Sequence, residues 1–188
     1  MVLQVGEILG LFRVRGAAMY GGEAVSQLEH ALQCAQLAEE AGAGPELVAA
    51  CLLHDFGHLL AGSGDRTQAR GLDDAHQHLA LPFLREAFPE SVLEPIRLHV
   101  DAKRYLCHVE PEYWDALSPV SKHSLVLQGG PYGERAAATF RARPHAAGAI
   151  QLRRWDDLAK SPRKPTPELE HYAGILRRCT LTAADQWT

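Results

Sequence analysis

At 188 residues, with 46% hydrophobic and 22% charged residues, the chain has the size and composition of one globular domain with a substantial core. A net charge of −4 without a long basic stripe gives no electrostatic case for nucleic-acid binding, and no nucleic-acid partner is expected. No apolar run approaches membrane-spanning length and no signal-peptide pattern opens the chain, so a cytoplasmic protein without a membrane partner is expected. The cysteines (Cys34, Cys51, Cys107, Cys179) form no C-x-x-C pair, which argues against a zinc ribbon or a disulfide scaffold.

Helical periodicity dominates. A first helix is predicted over Val2 to Val14 and a second over Val25 to Ala41, stopped by Gly42 and Gly44. Pro45 opens a third that carries Leu47, Val48, Cys51 and Leu52 to an adjacent His54-Asp55 pair, with Gly57 ending the run. Residues 62–71 read as a polar, glycine-rich loop or lid, after which Asp73 or Asp74 can cap a fourth helix carrying His76. A fifth covers Pro89 to Leu106, with Pro95 permitting a kink near His99. Ser118 to Leu127, Glu134 to Ala142, His145 to Ala159 and Glu168 to Arg178 complete the set. No alternation long enough for a strand appears, so the expected fold is all-α, a single helical bundle spanning residues 1–188.

Six residues of metal-ligating type are spread over five predicted helices beside apolar stripes: His30, the His54-Asp55 pair, His76, His99 and Asp156. Successive helical residues diverge by about 100°, so neighbouring ligands reach a common centre only near a helix end or through a bridging carboxylate. Imidazole and carboxylate donors without thiolates suit iron, manganese or zinc. Asp55 is the natural bridge, with His30, His54 and Asp156 on one ion and His76 and His99 on the other. The second ion is then short of ligands, as a substrate-binding metal must be. The competing expectation is a non-catalytic bundle with scattered histidines that binds a partner. Histidines 78, 108, 123, 145 and 171 are read as surface or structural residues.

The order His30, His54-Asp55, Asp156 resembles the signature of the HD-domain metal-dependent phosphohydrolases. With His76 and His99 it is similar to the dinuclear branch, which includes cyclic-dinucleotide phosphodiesterases and mixed-valence diiron oxygenases. The stretch from Tyr20 through Glu23 to His30 closely resembles small HD oxygenases that cleave 1-hydroxyphosphonates; myo-inositol oxygenase is a more distant cousin. Some of these oxygenases take 2-amino-1-hydroxyethylphosphonate to glycine and phosphate, and others take the trimethylated substrate to glycine betaine. The resemblance spans roughly Tyr20 to Lys160 and includes His54 to His58, His99 to Tyr105, Ser124 to Pro131 and Leu152 to Asp157. Gln77, and Ala80-Leu81, depart from the pattern, which bears on tuning of the site rather than on ligation.

The resemblance implies two iron ions, one ferric and one ferrous, and oxidative cleavage of a carbon–phosphorus bond by O2. It gives Glu23 to the cationic end of the substrate and makes Tyr20 the tyrosine that substrate displaces from the second iron. A phosphonate dianion also needs fixed donors. His58 lies one turn after His54, Lys103 one turn after His99, and Arg153 three residues before Asp156, while Ser121 and Ser124 offer hydroxyls. A trimethylammonium group would favour an aromatic cage, for which Tyr105 and Trp155 are the candidates. The alternative activity is that of an HD phosphohydrolase, in which metal-bound hydroxide attacks a phosphate ester.

Overall fold

The computed structural model describes residues 3–61 and 75–181. The predicted lid at 62–71 and the caps Asp73 and Asp74 lie outside the described residues. Within them the chain is all-α: α1 (Val5–Arg15), α2 (Gln27–Glu40), α3 (Pro45–Leu53), α4 (Phe56–Ala61), α5 (His76–Leu79), α6 (Leu81–Leu84), α7 (Glu90–Val109), α8 (Pro111–Ala116), α9 (Pro119–Leu127), α10 (Glu134–Arg141), α11 (Ala146–Leu158) and α12 (Leu169–Arg178). Extended pairing is limited to one isolated bridge between Met19 and Ser26. None of these helices is long and apolar enough to cross a membrane.

Local chemistry sets most boundaries. Helix α2 begins at Gln27 rather than Val25 because Ser26 closes a capping box: its hydroxyl accepts from the Glu29 N–H at 3.2 Å, and the Glu29 carboxylate accepts from the Ser26 N–H at 2.7 Å. Pro45 sits in the first turn of α3, where its missing N–H costs nothing. Helix α7 runs unbroken through Pro95, and α8 was not anticipated from the periodicity.

One expectation is overturned. Gly57 does not end the third helix. The chain leaves helix at His54-Asp55 and resumes at Phe56, with Gly57 buried inside α4. A β-carbon at position 57 would stand 2.2 Å from the carbonyl oxygen of His76, so this residue is glycine because α5 crosses it there.

The core is formed by apolar faces of α1, α2, α3, α4, α7 and α12, with Ile8, Phe12, Leu52, Leu53, Phe56, Ile96, Tyr172 and Leu176 almost completely enclosed. Each such side chain contributes about 1.5–3 kcal/mol on leaving water. A smaller cluster of Leu98, Ala102, Phe140, Ala146 and Ala149 joins α7 to α10 and α11. Helices α2, α3, α7 and α11 pack around one another, and their polar interruptions converge between them. Those interruptions are His30, His54, His99 and Asp156, all buried in an otherwise apolar interior.

Candidate metal centre

Asp55 organises the cluster. Its Oδ2 lies 3.7 Å from His30 Nε2 and 3.4 Å from His54 Nε2. Its Oδ1 lies 3.2 Å from His76 Nε2 and 3.6 Å from His99 Nε2. Within each histidine pair the Nε2 atoms are 3.2 Å apart (His30 and His54) and 3.0 Å apart (His76 and His99). Asp156 Oδ1 completes the first group, 3.4 Å from His30 and 3.9 Å from His54. Asp55 can sit between its neighbours because it occupies the gap between α3 and α4, free of either helix's angular spacing.

These spacings fit metal ions. Two donors about 2.1 Å from one ion at tetrahedral or octahedral angles lie roughly 3.0–3.4 Å from each other. The polar accounting agrees: both oxygens of Asp55 and Oδ1 of Asp156 are buried without a hydrogen-bond partner, a costly arrangement unless a cation satisfies them. The imidazoles are oriented to donate lone pairs. His30 Nδ1 meets the Ala159 carbonyl at 2.9 Å, His54 Nδ1 the Cys51 carbonyl at 2.8 Å and His99 Nδ1 the Ile96 carbonyl at 2.7 Å. Each inner nitrogen therefore carries the proton, leaving Nε2 free for a metal. Two three-residue sets can each hold an ion: His30, His54 and Asp55, and Asp55, His76 and His99.

The electrostatics follow from two carboxylates enclosed with four imidazoles. Burial pushes the Asp55 carboxyl up, but the surrounding His54 and His76 rings outweigh it and hold Asp55 well below the usual carboxylate range. Burial opposes charge on His54, yet Asp55 beside it raises that ring to about 10. Protons and metal ions compete for such a ring.

A cavity of about 380 Å³ opens onto the cluster, lined in part by His76 and His99. Tyr20, Glu23, His58, Lys103, Ser121, Ser124 and Arg153 also line it, so these seven residues read from the sequence surround one cavity beside the cluster. Tyr20 stacks on His30 with ring centroids 3.9 Å apart, and burial together with the Asp156 and Asp55 charges raises its phenol well above the ordinary value. His58 stacks on His76 at 4.3 Å. Lys103 donates to Ser124 Oγ at 2.9 Å, and burial beside Arg153 lowers its ammonium to about 7. Arg153 uses its fork within the protein, donating to Asp156 Oδ2 at 2.6 Å as well as to Asp157 and Tyr113. It thereby turns Asp156 Oδ1 toward the histidines.

A scan against family models matches residues 28–161 to the HD domain. The chain belongs to the HD-domain family. Among curated relatives, this HD domain is 38% identical to the 1-hydroxy-2-(trimethylamino)ethylphosphonate dioxygenase (glycine-betaine-forming) of Leisingera caerulea, over 90% of this chain and 86% of the relative. It is 40% identical to the hydroxymethylphosphonate dioxygenase of Gimesia maris, over 94% of this chain and 88% of the relative.

Two features of this HD domain depart from the sequence reading. Neither Tyr105 nor Trp155 lines the cavity; Tyr105 packs against Phe140, and Trp155 against the main core. Lys160, which the sequence reading passed over, does line it, donating to Glu23 at 3.0 Å and to Ser121 Oγ at 2.9 Å. Its position four residues after Asp156 was the available signal. The five histidines read as bland (78, 108, 123, 145 and 171) are exposed, and all four cysteines are free.

Proposed function

We propose that this protein is a diiron dioxygenase that cleaves the carbon–phosphorus bond of a 1-hydroxyphosphonate. The observation that carries this reading is the division of Asp55 between two histidine pairs, in a chain with curated relatives named as phosphonate dioxygenases. His30, His54 and Asp156 would hold one iron and His76 and His99 the other, with Asp55 available to both. A mixed ferrous–ferric pair bound there would supply dioxygen activation and a Lewis-acid anchor for the substrate.

The overall change balances without an outside reductant. R–CH(OH)–PO3(2−) and O2 give R–COO(−), HPO4(2−) and one proton. The C1–H and C1–P bonds break, and their four electrons reduce both oxygen atoms of O2. The chain's part is binding and orientation. Lys103 and Ser124, already hydrogen-bonded to each other on the cavity wall, present a cation and a hydroxyl to phosphonate oxygens. His58, stacked on His76, adds an imidazole N–H beside the histidine pair that is short of protein ligands. Tyr20, lying flat on His30, screens the cluster until substrate enters.

Purified, iron-loaded protein is expected to hold about two irons per chain and to show a mixed-valence electron paramagnetic resonance signal that changes on adding a 1-hydroxyphosphonate. It should take up one O2 for each phosphate released. Zinc or manganese in active material, with phosphoesterase turnover and no oxygen uptake, would establish the phosphohydrolase alternative instead.

A further inference from the structure

Among the described residues, the lysine, arginine and carboxylate side chains lining the cavity are cationic except for Glu23. Arg15, Lys103, Arg153 and Lys160 line it, and Glu23 is the one carboxylate among its described lining residues. That carboxylate is engaged: Glu23 Oε1 accepts from Lys160 Nζ at 3.0 Å and from the Ser118 hydroxyl at 2.6 Å. Both partners of the ion pair are largely enclosed, with side-chain exposures of 14% for Lys160 and 15% for Glu23.

Lys160 is held from both sides. The preceding residue, Ala159, is tied by its carbonyl to His30 Nδ1 at 2.9 Å. The following residue, Ser161, is pinned by buried Gln33, which accepts from its N–H at 3.0 Å and donates to its carbonyl at 2.9 Å. The lysine's backbone is thus anchored to the metal cluster, and its ammonium is steered onto Glu23 and Ser121. A substrate cation approaching Glu23 meets an ammonium that this scaffold holds on Oε1, bringing two like charges together in a partly desolvated space. An aromatic cage offers no alternative. Tyr20 is the only tyrosine, tryptophan or phenylalanine among the described lining residues, and one face of its ring is covered by His30.

We propose that Lys160 is a specificity-determining residue, which by occupying Glu23 makes this cavity select 1-hydroxyphosphonates with an uncharged C1 substituent over those bearing an ammonium or trimethylammonium group. This rests on the C–P cleavage reading and narrows its substrate class. The two dioxygenase relatives carry names on either side of this division, one substrate trimethylammonio and the other a plain hydroxymethyl compound.

The test compares hydroxymethylphosphonate, 2-amino-1-hydroxyethylphosphonate and 1-hydroxy-2-(trimethylamino)ethylphosphonate on iron-loaded wild type and Lys160→Met. The readouts are kcat/KM from oxygen uptake and dissociation constants from anaerobic calorimetry. Wild type should favour hydroxymethylphosphonate by on the order of 100-fold, and the variant should narrow that ratio at least about tenfold by releasing Glu23. A merely structural lysine would lower all three substrates together. Wild-type preference for either ammonium substrate, or an unchanged ratio in the variant, overturns the proposal while C–P cleavage stands. Failure of all three to bind or react removes the C–P reading and this inference with it. Lys160→Gln, which keeps a polar side chain but removes the positive charge held against Glu23, carries the same comparison should the methionine variant fail to fold.

Discussion

Gly57 and His76 meet backbone to backbone: a β-carbon on Gly57 would lie 2.2 Å from the His76 carbonyl oxygen. The close approach of α4 to α5 is what brings His76 within 3.2 Å of Asp55. Gly57→Ala must therefore move α5 and with it one member of the second histidine pair. The expected cost is about 1–3 kcal/mol of stability, the usual range for overpacking, together with loss of metal from the His76–His99 side. Urea unfolding and elemental analysis measure the two effects. Wild-type metal content in this variant would show that His76 is not positioned through Gly57.

Asp55 serves both histidine pairs, so its removal should be felt at both. Asp55→Ala is expected to reduce bound metal from about two ions per chain to well below one, whereas His99→Ala should spare the ion on the His30–His54 side. Metal-to-protein ratios after gel filtration distinguish the two. Equal losses in both variants would argue that Asp55 ligates a single ion.

Arg153 is a positioning residue for Asp156. Arg153→Met leaves Asp156 and Asp157 without their buried partner, with an expected stability loss of about 3–5 kcal/mol and metal affinity lowered about 10–100-fold. Arg153→Lys should restore part of the stability but less of the metal affinity, because an ammonium cannot span both carboxylates. Competition with a chelator and urea melts on the same samples check both.

Lys103 is only 2% exposed, and burial lowers its ammonium from 10.5 to about 7. Between those values the unfolded chain binds the proton and the folded chain does not, so this group's contribution to stability rises with pH across that window. Lys103→Met removes the penalty of burying the charge. In metal-free protein the variant should be more stable than wild type near pH 7, with the gap shrinking toward pH 10.5. Its affinity for phosphonates should fall because the cation is gone. Urea midpoints at about pH 7 and about pH 9 test the first claim, and a constant gap would contradict it.

Much of this was readable from residue order, for physical reasons. Pro45 and Gly42 punctuate α3 and α2 through backbone rules that need no tertiary context, and the six candidate ligands stand out as polar residues on apolar stripes. The Ser26-to-Glu29 capping box was also local, and it places the start of α2 two residues later than hydrophobic periodicity does. What escaped the reading was set by contacts between distant segments. Gly57 looks like a helix stop until α5 is seen crossing it. The Glu23–Lys160 pair joins residues 137 positions apart, and no spacing rule reaches that far. Tyr105 and Trp155 are aromatic and lie near the motifs in sequence, yet the faces of α7 and α11 turn them into packing.

The partnerless oxygens of Asp55 and Asp156 have a bearing on how this protein fares in a living cell. Ion uptake relieves a penalty built into the native interior, so folding equilibrium and nutrient supply are thermodynamically linked. Under scarcity the unloaded chain spends more time open and is cleared sooner by proteases. Its abundance would then follow the cell's mineral status with no dedicated sensor.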